Sequence, residues 1–119
     1  PAGSYSSAFV HGGLVYVSGQ TPRLPAGGRL LNAPFCEQAE VALRNLAAVA
    51  AAAGTSLEHG LQVTVYLRDQ SRAAEFDAVY REFVTEPMPA RAIVQSDLTV
   101  GEVEISAILC LPRSDPDPT

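Results

Sequence analysis

Apolar and polar positions follow two different periods along the chain, and the points where one period gives way to the other mark out its elements. Ala8-Phe9-Val10-His11 and Leu14-Val15-Tyr16-Val17-Ser18-Gly19 flank Gly12-Gly13. A Gly-Gly pair supplies the positive φ angles of a two-residue turn, so these runs predict a β-hairpin. Residues 20–33 contain Pro22, Pro25, Gly27 and Gly28 and read as a loop. Phe35, Ala39, Ala42, Leu43, Leu46, Val49 and Ala53 then recur every three or four residues, the spacing of one helix face. Asn32 or Ala33 is expected to cap this helix, with Pro34 in its first turn and Gly54 as its stop. The alanine-rich stretch allows close approach to a sheet, and no sustained heptad directs it toward a coiled coil.

Further along, Leu61, Val63, Val65 and Leu67 alternate with Gln62, Thr64, Tyr66 and Arg68, the period of a strand with two unlike faces. A second helix is predicted over 71–84, with Phe76, Val79, Tyr80 and Phe83 as its apolar stripe. Pro87 and Pro89 prohibit its continuation. Residues 91–96 and 102–111 are the last two strands, connected through Thr99-Val100-Gly101, and residues 112–119 should be a loose tail. The order is therefore β-β-α-β-α-β-β, an α+β fold in one domain over residues 1–111. Right-handed strand-helix-strand crossovers imply parallel pairs on one mixed sheet, with both helices on the same face. The other face is left bare and is not uniformly polar. A partner surface is expected there, and self-association is the simplest source of one.

At 119 residues the chain can bury roughly two-thirds of the surface that its unfolded form exposes, enough for a real core. No apolar run approaches the roughly 18 to 20 residues of a membrane span, and no signal peptide is visible. The chain opens on Pro1 rather than methionine, which leaves room for residues before it. A net charge of −5 and scattered arginines oppose a nucleic-acid footprint, which draws on clustered cations. Cys36 and Cys110 lack a cysteine or histidine at ligand spacing, as do His11 and His59, so reduced, half-buried thiols are expected rather than a disulfide or a zinc site. That usage fits a cytoplasmic protein.

All eight basic residues are arginines. With no lysine, side-chain Schiff-base chemistry and a covalently held pyridoxal cofactor are excluded. Arg91, in the run Pro89-Ala90-Arg91 that opens a strand, is instead a planar fork suited to gripping a carboxylate. Its plainer alternative is an ion pair with Asp77 or Glu86.

Six segments in order carry a resemblance. They are Val15-Tyr16-Val17-Ser18-Gly19-Gln20-Thr21-Pro22, the helix ending Ala52-Ala53-Gly54-Thr55-Ser56-Leu57, Val63-Thr64-Val65-Tyr66-Leu67-Arg68-Asp69, Phe76-Asp77-Ala78-Val79-Tyr80, Pro89-Ala90-Arg91 and Val103-Glu104-Ile105-Ser106-Ala107-Ile108. From Tyr5 to Leu111 the chain resembles the Rid (YjgF-like) family. The resemblance implies a chorismate-mutase-like fold assembled as a homotrimer, with bare sheet faces meeting centrally and clefts between subunits. It implies hydrolysis of reactive enamines and imines, such as 2-aminoacrylate, to a 2-keto acid and ammonia, without a metal or organic cofactor. In this frame Arg91 matches the carboxylate-binding arginine, Glu104 the acidic residue that positions water, and Tyr5 and Ser18 two residues lining the cleft. Ile93 stands where cysteine is frequent, Asp77 where asparagine is common, and Ser106 in place of a second glutamate. Ile93 and Asp77 are therefore expected to shape substrate binding.

An imine conjugated to a carboxylate is already a good electrophile, so the enzyme needs position and a proton route more than a strong nucleophile. Arg91 is expected to hold the carboxylate and Glu104 to orient or deprotonate water, the two converging across a seam between protomers. Two other readings compete: a non-catalytic trimer that binds small carboxylate metabolites or partner proteins, and a ribonuclease or translation inhibitor, which the acidic balance disfavours.

Overall fold

A computed structural model describes residues 3–113 of the chain. Its elements are β1 (Ala8–His11), β2 (Leu14–Gln20), α1 (Phe35–Ala52), β3 (Gly60–Leu67), α2 (Ala73–Tyr80), β4 (Ala90–Gln95) and β5 (Val103–Cys110), in the predicted order. Gly12 and Gly13 adopt φ of 60° and 79°, and the hairpin they close aligns Phe9 with Tyr16 and His11 with Leu14.

The strands form one mixed sheet in the order β1-β2-β5-β3-β4. The last strand enters the middle, antiparallel to both β2 and β3. The α2 crossover joins neighbouring parallel strands, β3 and β4. The α1 crossover joins β2 and β3, which run the same way but are separated by β5. Alternation along β5 then sorts the two faces. Val103, Ile105, Ala107 and Leu109 are buried beneath the helices, whereas Glu104, Ser106, Ile108 and Cys110 face the other way and are only partly covered.

From α1 the core takes Ala39, Ala42, Leu43, Leu46 and Ala50, and from α2 it takes Phe76 and Tyr80. Fully burying each leucine or phenylalanine contributes about 1.5 to 3 kcal/mol. The small alanines let α1 lie close to the sheet. Among the described residues no helix covers the opposite face, where Phe9, Tyr16 and Val94 are 63%, 41% and 40% exposed. Among the described residues no helix is long and apolar enough to cross a membrane.

Several local expectations are corrected. The N-cap of α1 is Pro34 rather than Asn32 or Ala33, and no side chain caps the helix. A proline forces the residue before it toward extended backbone, so the helix starts immediately after the ring. The buried Gln38 does the tying instead: its Nε2 donates to the carbonyls of Leu31 and Ala33, and its Oε1 accepts from the backbone N–H of Glu102. The second helix is shorter than the 71–84 span. Its entry is a 3₁₀ turn, Gln70–Arg72, where the Asp69 carboxylate accepts from Ser71, and past Tyr80 the backbone tightens into i→i+3 bonding, with Phe83 N–H donating to the Tyr80 carbonyl. Leu61 is exposed although Val63, Val65 and Leu67 are buried, because the β3–β5 register shifts between Gly60 and Gln62. Cys36 is exposed rather than half-buried, and both thiols are free. The expected loose tail lies, from residue 114 onward, outside the described residues.

Candidate functional site

Where β2 ends, its register against β5 shifts between Val17 and Gln20. Such a bulge bends a strand and re-aims its side chains. Beside it opens a cavity of about 780 Å³ lined by, among others, Tyr5, Ser18, Gly19 and Glu104. The Ser18 hydroxyl donates to the Ser6 carbonyl at 2.6 Å, and its backbone N–H donates to the Ser7 carbonyl at 2.9 Å. Ser18 thus fastens the segment that carries Tyr5 to the rim, while its oxygen keeps lone pairs to accept a further bond.

Glu104 is seated against Gly19. A Cβ at position 19 would fall 2.8 Å from the Glu104 Cδ, 3.0 Å from its Cγ and closer still to Oε2. Only a residue without a side chain lets the carboxylate lie against the bulge. Glu104 has no ion-pair partner among the described residues, so its oxygens remain available to a water or a substrate proton.

Arg91 sits elsewhere. At the start of β4 it is aligned with the buried Val63 and turned to the helix side of the sheet. Its Nη1 donates to Asp77 Oδ1 at 2.7 Å, and the guanidinium lies 4.8 Å from the centre of the Tyr80 ring. The second oxygen of Asp77 accepts from Arg81 Nε at 3.0 Å. The hydrogen bond from Arg91 is the main cause that holds the Asp77 carboxyl below its ordinary value, against the opposing effect of burial. Burial pushes the Tyr80 phenol up. Of the two carboxylates expected to compete for Arg91, Asp77 holds it and Glu86 does not. Nε and Nη2 of Arg91 carry no side-chain bond among the described residues, leaving one planar edge of the fork open.

The structure therefore gathers Tyr5, Ser18 and Glu104 into one cavity and Arg91 with Asp77 into a second cluster. Ile93 packs, partly buried, against the core and does not line the cavity. Glu104 is aligned with Tyr66, and Tyr66 with Val94, which places Arg91 two strands over and three residues along. At strand spacings near 4.8 Å and a rise near 3.3 Å, the two Cα atoms are about 14 Å apart, with side chains on opposite faces. One chain does not bring the guanidinium and the carboxylate to a common small molecule.

A model of the family described as Endoribonuclease L-PSP matches residues 1–110. The chain belongs to this YjgF/RidA/RutC family. It is 44% identical over 111 residues to the RutC family protein y4sK of Sinorhizobium fredii, spanning 92% of this chain and 88% of that one. It is 34% identical over 108 residues to a bovine protein named 2-iminobutanoate/2-iminopropanoate deaminase, spanning 89% and 79%. The crystal structure of RidA from an Antarctic Psychrobacter superposes with a TM-score of 0.87 at 37% identity, covering 93% and 91%. The mixed five-stranded sheet with both helices on one face is thus the fold of this family.

Sequence reasoning passed over Gly19, Arg23, Arg29 and Asn45, all of which line the cavity. Gly19 was legible in principle, since a glycine inside a strand pattern marks a bulge or a close approach. The arginines lay hidden in a stretch that its prolines and glycines labelled only as loop.

Proposed function

We propose that this protein hydrolyses reactive 2-imino and 2-enamino carboxylates to 2-keto acids and ammonia, without a cofactor, as a homotrimer whose clefts draw on two chains. The observation that carries the reading is Glu104: a carboxylate with no ion-pair partner among the described residues, seated in a polar cavity with Tyr5 and Ser18 by a glycine that makes room for it. The name of the bovine relative supports the chemistry, and the bare apolar face supports assembly.

In this reading a neighbouring protomer supplies Arg91, whose open edge grips the substrate carboxylate, a charge-assisted contact contributing about 1.5 to 3 kcal/mol. Asp77 and the Tyr80 ring fix the guanidinium for that role. Water adds to C2 of the iminium while Glu104 accepts one of its protons. Glu104 returns that proton to the carbinolamine nitrogen, the C–N bond breaks toward nitrogen as ammonia leaves, and the C2 hydroxyl gives up its proton to the Glu104 carboxylate, leaving the 2-keto acid. For 2-aminoacrylate, protonation at C3 first gives 2-iminopropanoate. Ile93, packed behind the β4 edge, acts on substrate choice through the position of Arg91.

A lyase acting on serine generates 2-aminoacrylate, and semicarbazide traps the imine. The protein should accelerate its loss, Arg91→Ala should abolish the effect, and Glu104→Gln should lower it by about 100- to 10,000-fold. Unchanged trapping over a series of imines would instead favour a metabolite-binding trimer. Salt-sensitive cleavage of RNA would favour the ribonuclease reading, which a net charge of −5 opposes.

A further inference from the structure

We infer that Arg23 and Arg29 form an anion-binding wall of the Glu104 cavity and that the preferred substrate is a 2-imino acid with a second, distal carboxylate, of the aspartate or glutamate type. The substrate half of this inference rests on the deaminase reading. Its starting point is how the arginines are partnered. Arg44, Arg68, Arg72, Arg81 and Arg91 each have a carboxylate within ion-pair distance. Arg23, Arg29 and the exposed Arg113 have none among the described residues, and of these three Arg23 and Arg29 line the cavity that holds Tyr5, Ser18 and Glu104.

The pair is built rather than incidental. Arg23 and Arg29 are aligned across an isolated antiparallel bridge, which puts their side chains on the same side of a narrow ribbon. Like charges directly opposite each other destabilise such a pairing. The chain nevertheless fixes it from several directions. Leu24 N–H donates to the Gly28 carbonyl at 2.9 Å, Gly27 N–H to the Leu24 carbonyl at 3.0 Å, and Leu30 N–H to the Pro22 carbonyl at 2.8 Å. Gly27 and Gly28 take φ of 98° and 80°, turning the ribbon where side-chained residues would be strained. From α1, Asn45 Nδ2 donates to the carbonyls of Thr21 and Arg23 at 3.0 and 2.8 Å and anchors the ribbon to the helix. Two cations held on one side of the ribbon at the rim, with no ion-pair partner among the described residues, match a bound anion.

That anion is not the carboxylate next to the reacting carbon if Arg91 of a neighbouring protomer takes it. The cavity, at about 780 Å³, has space well beyond a three-carbon acid, since volumes of roughly 300 to 1,000 Å³ accommodate drug-sized molecules. A substrate that spans from Arg91 past Glu104 to the arginine pair is a dicarboxylate. Its reaction is the one already written, with water adding to C2, ammonia leaving and a 2-keto dicarboxylate remaining.

Two measurements test this, one of them independent of turnover. In the first, 2-oxoglutarate and pyruvate, the products of the two substrate classes, are titrated calorimetrically into the wild type, an Arg23→Gln/Arg29→Gln variant and an Arg23→Lys/Arg29→Lys variant. The inference expects 2-oxoglutarate to bind the wild type at least about tenfold tighter than pyruvate, the Gln variant to lose that preference and the Lys variant to recover part of it. Equal affinities in the wild type, or a preference that survives in the Gln variant, overturn the wall. In the second, imines made in situ from glutamate and from alanine by amino-acid oxidases are followed by semicarbazide trapping. The Gln variant should lower kcat/KM for the glutamate imine at least about tenfold more than for the alanine imine, through KM. If the wild type prefers the alanine imine and the variant treats both alike, the dicarboxylate inference fails and the deaminase reading stands. If neither imine is hydrolysed, the deaminase reading and the substrate class fall together, and the titration alone decides the wall.

Discussion

Replacing Gly19 with alanine separates the proposed role of Glu104 in chemistry from any role in folding. The new Cβ would lie 2.8 Å from the Glu104 Cδ, whereas ordinary contact begins near 3.4 Å, so the carboxyl carbon must retreat by about 0.6 Å and the nearer oxygen by more. The carboxylate ends a flexible side chain, so the displacement itself costs little. Gly19 is not among the glycines at positive φ, so alanine fits the backbone and stabilises the fold by about 0.4 to 1 kcal/mol through the unfolded state. A displacement approaching 1 Å at a proton-transferring group costs on the order of 100-fold in rate. Gly19→Ala should therefore melt within a few degrees of the wild type and yet lose about two orders of magnitude in kcat/KM in the semicarbazide assay. A variant with wild-type kcat/KM and an intact fold would refute the claim that this close approach sets the catalytic carboxylate.

Other consequences follow from the same geometry. Asp77 has a native value below its ordinary 3.8, so its contribution to stability is present above the unfolded value and lost as pH falls through the lowered native one; the stability gap between wild type and Asp77→Asn should be constant near neutrality and close below about pH 4 in urea melts. Gln38→Leu removes three partly covered hydrogen bonds, each contributing about 0.5 to 1.5 kcal/mol net, and should lower the urea-unfolding free energy by about 2 to 4 kcal/mol. The Tyr80 hydroxyl is buried without a hydrogen-bond partner among the described residues, so Tyr80→Phe should raise stability by about 1 kcal/mol while leaving the ring beneath Arg91; a loss in calorimetric melts would contradict this.

The sheet and both helices were legible because burial obeys period: Val63, Val65 and Leu67 are buried on one strand, and Leu43, Leu46 and Ala50 on one helix face. What period cannot convey is strand order. The insertion of β5 between β2 and β3 depends on long-range pairing that leaves no local pattern. The helix boundaries moved for local reasons, the ring of Pro34 at one and a tightening turn after Tyr80 at another. Tyr5, Ser18 and Glu104 line one cavity in the structure, whereas the ion pair that occupies Arg91 was only one of two alternatives in the sequence. The arginine pair at 23 and 29 was invisible because its meaning lies in a cross-strand register formed within an apparent loop.

Opposite sheet faces and about 14 Å of separation mean that Arg91 and Glu104 of one chain cannot serve one small substrate. The decisive measurement is complementation between two inactive variants. Arg91→Ala and Glu104→Gln proteins are unfolded together, refolded as a mixture and assayed for imine hydrolysis. A ring in which each site takes the arginine from one chain and the glutamate from the next should regain about a quarter of wild-type activity, because a quarter of random neighbours pair an intact arginine with an intact glutamate. A mixture no more active than its separate components would contradict a site shared between chains.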